Sequence, residues 1–451
     1  MRLVTGLLTD LYQLTMAAGY YEAGKANEVA TFELFFRRLP RYRNYVVAAG
    51  LAQAVDYLLN LKFTDEEIDY LRGLPQFRRV SSGFFDILRG LHFSGDLFAM
   101  AEGTPIFANE PFLTIRAPLL EAQIVETYLL ASIGFQSLIA TKASRIVEVA
   151  GGRAVVDFGT RRAHSPEAGV LAGRASYIGG CIGSSNTETG FRYGIPVFGT
   201  AAHSWVQAFP SEKEAFQRLQ ELLGDATAYL IDTYDTLEGA HTAASLGPPM
   251  WGVRLDSGNL VELSREVRKI LDQAGLQNAK IMATSDLNEY KILEFAAAGA
   301  PIDAFGVGTD LATSTDSPNL GVVYKMVELE GRFTAKFSED KHTLPGAKQV
   351  FRFAGHDVIG CSWECLGCGA DGPEAKALLR PVMLHGKLIE PLPTATAARQ
   401  HAAETVKRLP TAIRSLFDTG QEYRVDHSNA LSALYEQVQN ENDLLRHRHA
   451  D

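Results

Sequence analysis

Between about residues 121 and 325, short apolar strands alternate with helical stretches, and the chemically promising residues all follow the strands. The strands read as Ala154–Phe158, Ile195–Phe198, Trp251–Leu255, Lys280–Ala283 and Ile302–Val307. Apolar spacing predicts helices over Glu121–Ile139, Ser264–Ala274 and Asn288–Ala298. Strand, polar loop and helix in repetition require parallel pairing, because a parallel partner is reached only through a long, right-handed crossover. Ligands then bind beyond the C-terminal ends of the strands. An irregular, TIM-like α/β barrel is the expected architecture. An open doubly wound sheet shares that polarity and is the alternative.

The flanks differ in texture. Residues 1–120 mix the strand-like segments Thr31–Phe36, Leu97–Met100 and Phe112–Ile115 with Gly and Pro, which suggests a smaller N-terminal α+β domain. Residues 326–451 form a C-terminal extension expected to pack on that domain, with a helix over Ser428–Leu445. The barrel domain is thus bounded at 121–325. A chain of 451 residues has room for such an arrangement.

Charge and cysteine content narrow the function. The net charge of -10 opposes a general nucleic-acid binder, whose footprint is basic. It does not oppose an anionic small molecule, which senses only the local field. No apolar run is long enough to cross a membrane, and Leu7-Leu8 gives way at once to Thr9-Asp10, unlike a secretory leader. The cytoplasm is the expected compartment. Cys181 stands alone in a glycine-rich loop and reads as a packing residue. Cys361, Cys365 and Cys368, with His356 before them, could hold a structural zinc or could be reduced thiols in a loop.

The run from Asp157 to His203 concentrates the chemistry. Asp157-Phe158 leads into Gly159-Thr160-Arg161-Arg162, and Phe198 leads into Gly199-Thr200-Ala201-Ala202-His203-Ser204. Small residues let backbone approach a ligand, while arginines, hydroxyls and an imidazole face it, which suits a phosphate-bearing substrate. Arg254 and Asp256 lie two apart on a strand and share a face; they read either as a ligand-facing pair or as a buried ion pair. Gly306-Val307-Gly308-Thr309 ends the last strand and could cradle a phosphate or form a plain tight turn. Thr9 to Met16 reads as a helix with Asp10 at its N-cap and Leu11, Leu14 and Thr15 facing a core.

The segments TDLYQLTM (9–16), FELFFRRLP (32–40), GFQSLIATKASRI (134–146), DFGTRRAHSP (157–166), GTAAHS (199–204), GVRLDSG (252–258), FGVGTD (305–310) and GVVYKMVEL (321–329) together resemble the nicotinate phosphoribosyltransferase family. They occur in family order. The resemblance implies a type II phosphoribosyltransferase fold and a homodimer whose active sites are shared between subunits. It implies transfer of ribose 5-phosphate from 5-phosphoribosyl 1-pyrophosphate (PRPP) to nicotinate, giving nicotinate mononucleotide and pyrophosphate. Coupled hydrolysis of ATP through a phosphohistidine, and a need for Mg²⁺, belong to the same implication.

By that resemblance His203 is the phosphorylated residue, and Asp256, the second catalytic residue, faces nicotinate and ribose together with Arg254. Tyr12 (from the partner subunit) and Thr200 contact nicotinate, Phe158 stacks on its ring, and Arg161 sits by its carboxylate. Arg254 faces nicotinate and ribose, and Gly308 and Thr309 hold the 5-phosphate. Lys336 and Lys348 are candidates for ATP or pyrophosphate. Asn186 stands where related nicotinamide-using enzymes carry an Asp; the missing charge favours the acid as substrate. The segment Cys361–Cys368 departs from the family pattern. The competing readings are nicotinamide or quinolinate phosphoribosyltransferase, or a non-catalytic paralogue that binds phosphate or nucleotide.

Overall fold

The structure, a computed structural model, describes residues 5–338, 341–367, 374–417 and 419–448. It forms two compact units. One comprises Met1–Ser137, Asn319–Pro393 and Glu404–Asp451; the other comprises Leu138–Pro318 and Thr394–Ala403.

In the second unit six short strands form one parallel sheet. Their spatial order is Gly183–Ser184, Ala154–Asp157, Ala304–Val307, Lys280–Ala283, Gly252–Leu255, Ala228–Leu230. The first strand in the chain, Ala154–Asp157, therefore pairs with the last, Ala304–Val307, in the register Ala304↔Ala154 to Val307↔Asp157. Every other pairing joins strands that follow one another in sequence. A doubly wound sheet keeps its first and last strands apart; joining them is the mark of a barrel. The ring is open between Gly183–Ser184 and Ala228–Leu230. There Val197 makes a single parallel bridge to Ser184. The expected strand Ile195–Phe198 is reduced to that bridge, because Pro196 has no N–H to give a ladder and Val197 and Phe198 stay exposed.

The strands read at 154, 251, 280 and 302 all form, each within two residues of its expected start. Ala228–Leu230 is an additional strand; its three residues are too few to show a period. Helices follow the strands as crossovers. Leu260–Gln273 buries Leu260, Ser264, Val267 and Leu271, one stripe at helical spacing. Asn259 and Asn288 cap their helices through side-chain oxygens. The single helix expected over Glu121–Ile139 is two, Leu119–Ile124 and Glu126–Ala150.

In the first unit a seven-stranded antiparallel sheet interleaves the two ends of the chain. Val29–Phe36 lies between Val322–Leu329 and Leu113–Pro118. A second sheet of four strands contains Lys348–Arg352, His356–Cys361 and Arg424–His427. Three carboxyl groups are drawn inside. Glu33, fully buried, pairs with Lys348 at 2.7 Å. Asp357, also fully buried, receives Arg352 at 2.6 Å and the Tyr423 hydroxyl at 3.1 Å. Glu110 is buried beside Asp357 and accepts from the Phe107 N–H at 2.9 Å.

The described part of the cysteine segment begins in a strand and not in a loop. Cys361 ends a strand as a buried free thiol whose pKa burial raises to about 11. Cys365 is disulfide-bonded. Cys368 lies outside the described residues. The His356 ring stacks on Phe353. Among the described residues no three His, Cys, Asp or Glu side chains gather as a metal site.

Candidate active site

The residues singled out in the sequence meet at the C-terminal ends of the parallel strands. Arg254, in the strand Gly252–Leu255, is the centre. Its Nε donates to Thr284 Oγ1 at 2.9 Å, and its Nη1 donates to Thr200 Oγ1 at 2.8 Å and to the Ala201 carbonyl at 3.4 Å. Its Nη2 donates to Asp256 Oδ1 at 2.8 Å. Contacts from two strand ends and from the loop after the Val197 bridge thus fix the guanidinium plane. That plane lies over the Phe158 ring, 5.8 Å from its centroid.

Phe158 is held from below by a glycine. A Cβ on Gly306 would stand 2.6 Å from Phe158 Cδ2 and 2.7 Å from Thr284 Cγ2, so only glycine admits the ring at this place. The adjacent Asp157 is fully buried and accepts from the Gly159 N–H at 2.8 Å and from Ser184 Oγ at 2.7 Å. Ser184 Oγ also accepts the Asn186 N–H at 3.0 Å. One carboxylate therefore ties the loop bearing Phe158 and Arg161 to the loop bearing Asn186. Burial raises the Asp157 pKa, and these hydrogen bonds counter it.

Asp256 accepts from Arg254 and, through a short contact, from Thr284 Oγ1. Burial alone would raise its pKa; the bonds from Thr284 and Arg254 and the charge of Arg254 outweigh that, and the result lies below the ordinary carboxylate value. Asp256 is therefore a carboxylate at neutral pH. His203 begins the helix His203–Gln207 and turns Nε2 toward Asp256 Oδ2, 3.9 Å away. Its Nδ1 contacts Thr233 Oγ1 at 3.1 Å, which fixes the ring and leaves Nε2 on the Asp256 side.

Asp232, Thr233 and Thr284 carry parts of this site and were not singled out in the sequence. Asp232 Oδ2 accepts from the Asp256 N–H at 3.1 Å and from Ser257 Oγ at 2.6 Å. Its Oδ1 is buried without a hydrogen-bond partner among the described residues. The signal available was position: Asp232-Thr233 follow Ala228–Leu230, and Thr284 follows Lys280–Ala283, as the other site residues follow their strands. Beyond Thr284, Ser285 and Asp286 adopt φ of 94° and 45°. Two successive non-glycine residues in the left-handed region mark a strained loop, as functional loops often are.

Gly308 and Thr309 follow Ala304–Val307, with Thr309 exposed at the start of the helix Thr309–Thr313. Arg161 is exposed in the turn Thr160–Arg162. Asn186 is buried and its Oδ1 accepts the Thr189 N–H at 2.9 Å, so its carbonyl oxygen serves as a helix cap. Tyr12 belongs to the first unit, half exposed in the helix Leu11–Glu22. That helix starts where expected, but Asp10 makes no capping bond and accepts instead from Thr127 Oγ1. Its buried face is Gln13, Leu14, Ala17 and Ala18, while Leu11 is exposed.

Lys348 does not present a free ammonium. It is buried, and its Nζ meets Glu33 at 2.7 Å, the Leu344 carbonyl at 2.9 Å and the Gly346 carbonyl at 2.8 Å. Three protons and three acceptors leave none for ATP or pyrophosphate. Lys336 is exposed.

A parallel barrel with a fixed arginine, an ionised aspartate and an oriented histidine at its strand ends defines an α/β-barrel enzyme. Comparison with known proteins specifies the kind. Family models match residues 7–134 (nicotinate phosphoribosyltransferase N-terminal domain), 153–343 (nicotinate phosphoribosyltransferase family) and 370–435 (nicotinate phosphoribosyltransferase C-terminal domain). A nicotinate phosphoribosyltransferase of Mycobacterium tuberculosis is 45% identical over 455 residues, covering 99% of this chain and 95% of its own. One from Bacillus subtilis is 46% identical over 359 residues, covering 77% of this chain and 72% of its own. The crystal structure of human nicotinic acid phosphoribosyltransferase superposes with a TM-score of 0.84 at 30% identity, covering 95% of this chain and 99% of that one. The chain belongs to the nicotinate phosphoribosyltransferase family. No helix among the described residues is long and apolar enough to cross a membrane.

Proposed function

We propose that this enzyme joins nicotinate to PRPP, giving nicotinate mononucleotide and pyrophosphate in salvage toward NAD, with ATP hydrolysis coupled through His203. The observation that carries this reading is the Arg254–Asp256–His203 cluster. The pyridine nitrogen attacks the ribose C1 as the C1–O bond to pyrophosphate breaks. Positive charge grows on the ribose, and the ionised Asp256 stabilises it. Nicotinate stacks on Phe158, whose neighbours include Gly306 and Arg254. Its carboxylate is taken by the exposed Arg161, and the 5-phosphate by Gly308 and Thr309.

Asp232 Oδ2 accepts from the Asp256 backbone N–H, which brings the two aspartates to one strand-end region, and Asp232 Oδ1 is buried and unpartnered among the described residues. That donor set fits Mg²⁺, which takes one or two carboxylates together with substrate phosphate oxygens. Bound there, Mg²⁺ would neutralise the leaving pyrophosphate. In the ATP half-reaction, His203 Nε2 bonds to the γ-phosphorus as the bond to ADP breaks. Hydrolysis of that phosphorus–nitrogen bond, with release of phosphate, returns the histidine. The Thr233 contact at Nδ1 keeps Nε2 aimed for this transfer.

The reading extends to a cytoplasmic homodimer in which Tyr12 of one subunit completes the site of the other. The direct test is product formation from nicotinate and from nicotinamide, with and without ATP. Nicotinate should be used and ATP should stimulate. His203→Ala should fold, hydrolyse no ATP and lose the stimulation. ATP-stimulated turnover in that variant would refute the phosphohistidine.

A further inference from the structure

The two last strand-end loops of the barrel are tied to each other away from the reacting groups. Asn288 caps the helix Glu289–Ala297, its Oδ1 accepting from the N–H groups of Tyr290 and Lys291, both at 3.1 Å. The opposite side of the same amide, Nδ2, donates to Asp310 Oδ2 at 3.0 Å. Asp310 is the residue after Thr309. Lys291 Nζ meanwhile donates to the Asp286 carbonyl at 2.9 Å, holding the strained Ser285–Asp286 turn to the same helix.

A buried ion network backs this link. Glu289, next after Asn288 and fully buried, pairs with Lys142 at 2.6 Å and with Arg145 at 3.1 Å. The Lys142 ammonium also reaches Asp316 at 2.9 Å, beyond the helix Thr309–Thr313. Lys142 and Arg145 both lie on the long helix Glu126–Ala150. The start of the Glu289–Ala297 helix is thus anchored to the long helix by buried ion pairs, and Asn288 projects from it to a carboxylate one residue past Thr309. Without that bond, the Asp310 carboxylate is an untethered negative charge directly after Thr309, where it would repel an incoming phosphate.

We propose that Asn288 is a positioning residue for PRPP: through Nδ2 it holds Asp310 aside and sets the Gly308–Asp310 turn in the shape that receives the 5-phosphate. The proposal rests on the reading that this turn is the 5-phosphate site. It also separates two roles of one amide, capping through Oδ1 and tethering through Nδ2.

That separation supplies the experiment, performed on the full-length enzyme with steady-state kinetics in PRPP and in nicotinate. Asn288→Asp keeps a capping acceptor but sets a carboxylate against Asp310. The KM for PRPP should rise about tenfold, with kcat and the KM for nicotinate changed by less than about threefold. The exchange Asn288→Asp with Asp310→Asn restores an amide facing a carboxylate, and the KM for PRPP should return to within about threefold of the parent. A residue that only caps its helix would not show this pattern. An unchanged KM for PRPP in Asn288→Asp, or a defect that the exchange does not relieve, overturns the proposal. Thr309→Ala is the companion variant. If it raises the KM for PRPP while Asn288→Asp does not, the phosphate site stands and the tether fails. If Thr309→Ala also leaves that KM unchanged, the 5-phosphate assignment fails and takes the proposal with it.

Discussion

Arg254 shows at the scale of one residue why a site is more than its list of side chains. Its strand places it on the ligand face, but its usefulness comes from Thr200 and Thr284 on two other segments and Asp256 at the end of its own, which together hold the guanidinium. Arg254→Ala should lower kcat/KM for nicotinate by about tenfold to a hundredfold, the scale of a lost charge-assisted hydrogen bond. Arg254→Lys should not restore it, because one ammonium cannot span the same partners. Wild-type kcat/KM in either variant would remove Arg254 from the site. The residue pair Arg254 and Asp256 was legible in the sequence from its period of two alone. Thr284 and Asp232 were not, because a lone Thr or Asp after a short strand looks like any loop residue. Lys348 erred the other way. A lysine in a polar stretch resembles a phosphate ligand until its three acceptors, Glu33 among them, are seen around it.

At the scale of elements, the loops of the barrel mouth are braced by buried groups rather than by their own composition. Asp157 ends its strand inside the protein and joins the Gly159 N–H to Ser184. Ser184→Ala would leave Asp157 Oδ2 buried without its donor. The cost should be about 1–3 kcal/mol of stability, read as a lower thermal midpoint. A variant as stable as the parent would show that the two loops do not depend on this bond. Element identity was legible for the longer barrel strands, and Lys280–Ala283 was placed to the residue, but the eight-residue strand Val322–Leu329 and the strand His356–Cys361 were not read as strands. It failed where the signal was too short or misleading. Ala228–Leu230 has three residues. Ile195–Phe198 has the right composition but contains Pro196 and lies at the open side of the ring.

At the scale of the molecule, the first unit carries a pH liability in its interior. Burial, and then the charge of Asp357, push the Glu110 pKa well above the ordinary carboxylate range, and Arg352 and the Phe107 N–H pull it back only in part. Its folded pKa thus exceeds the unfolded value of about 4.3. Stability from this site is whole below that value and is lost as pH rises toward the folded pKa. Denaturant unfolding across mildly acidic to alkaline pH should show Glu110→Gln declining less steeply than the parent. Equal slopes would mean that Glu110 is not held protonated. A second molecular property is the proposed shared site. Leu11, Tyr12 and Met16 are 42%, 50% and 38% exposed on one short helix, apolar surface of the kind a subunit interface covers. Mixing inactive Tyr12→Ala subunits with inactive His203→Ala subunits should restore part of the activity. If subunits exchange and no activity returns, the sites are not shared.

The order of residues alone was enough for the parallel α/β class, the strand ends as the expected place of chemistry, and the family. These depend on local periodicity and on short motifs, which neighbouring residues carry together. It determined neither the closure of Ala304–Val307 onto Ala154–Asp157 nor the opening beside Val197. It also left undecided which charges face a ligand and which are consumed inside, as Lys348 is by Glu33 and Lys142 by Glu289 and Asp316. Those outcomes rest on contacts between residues up to hundreds of positions apart. A side chain's charge is written in its type, but whether that charge is available depends on which partners the fold brings within hydrogen-bonding distance.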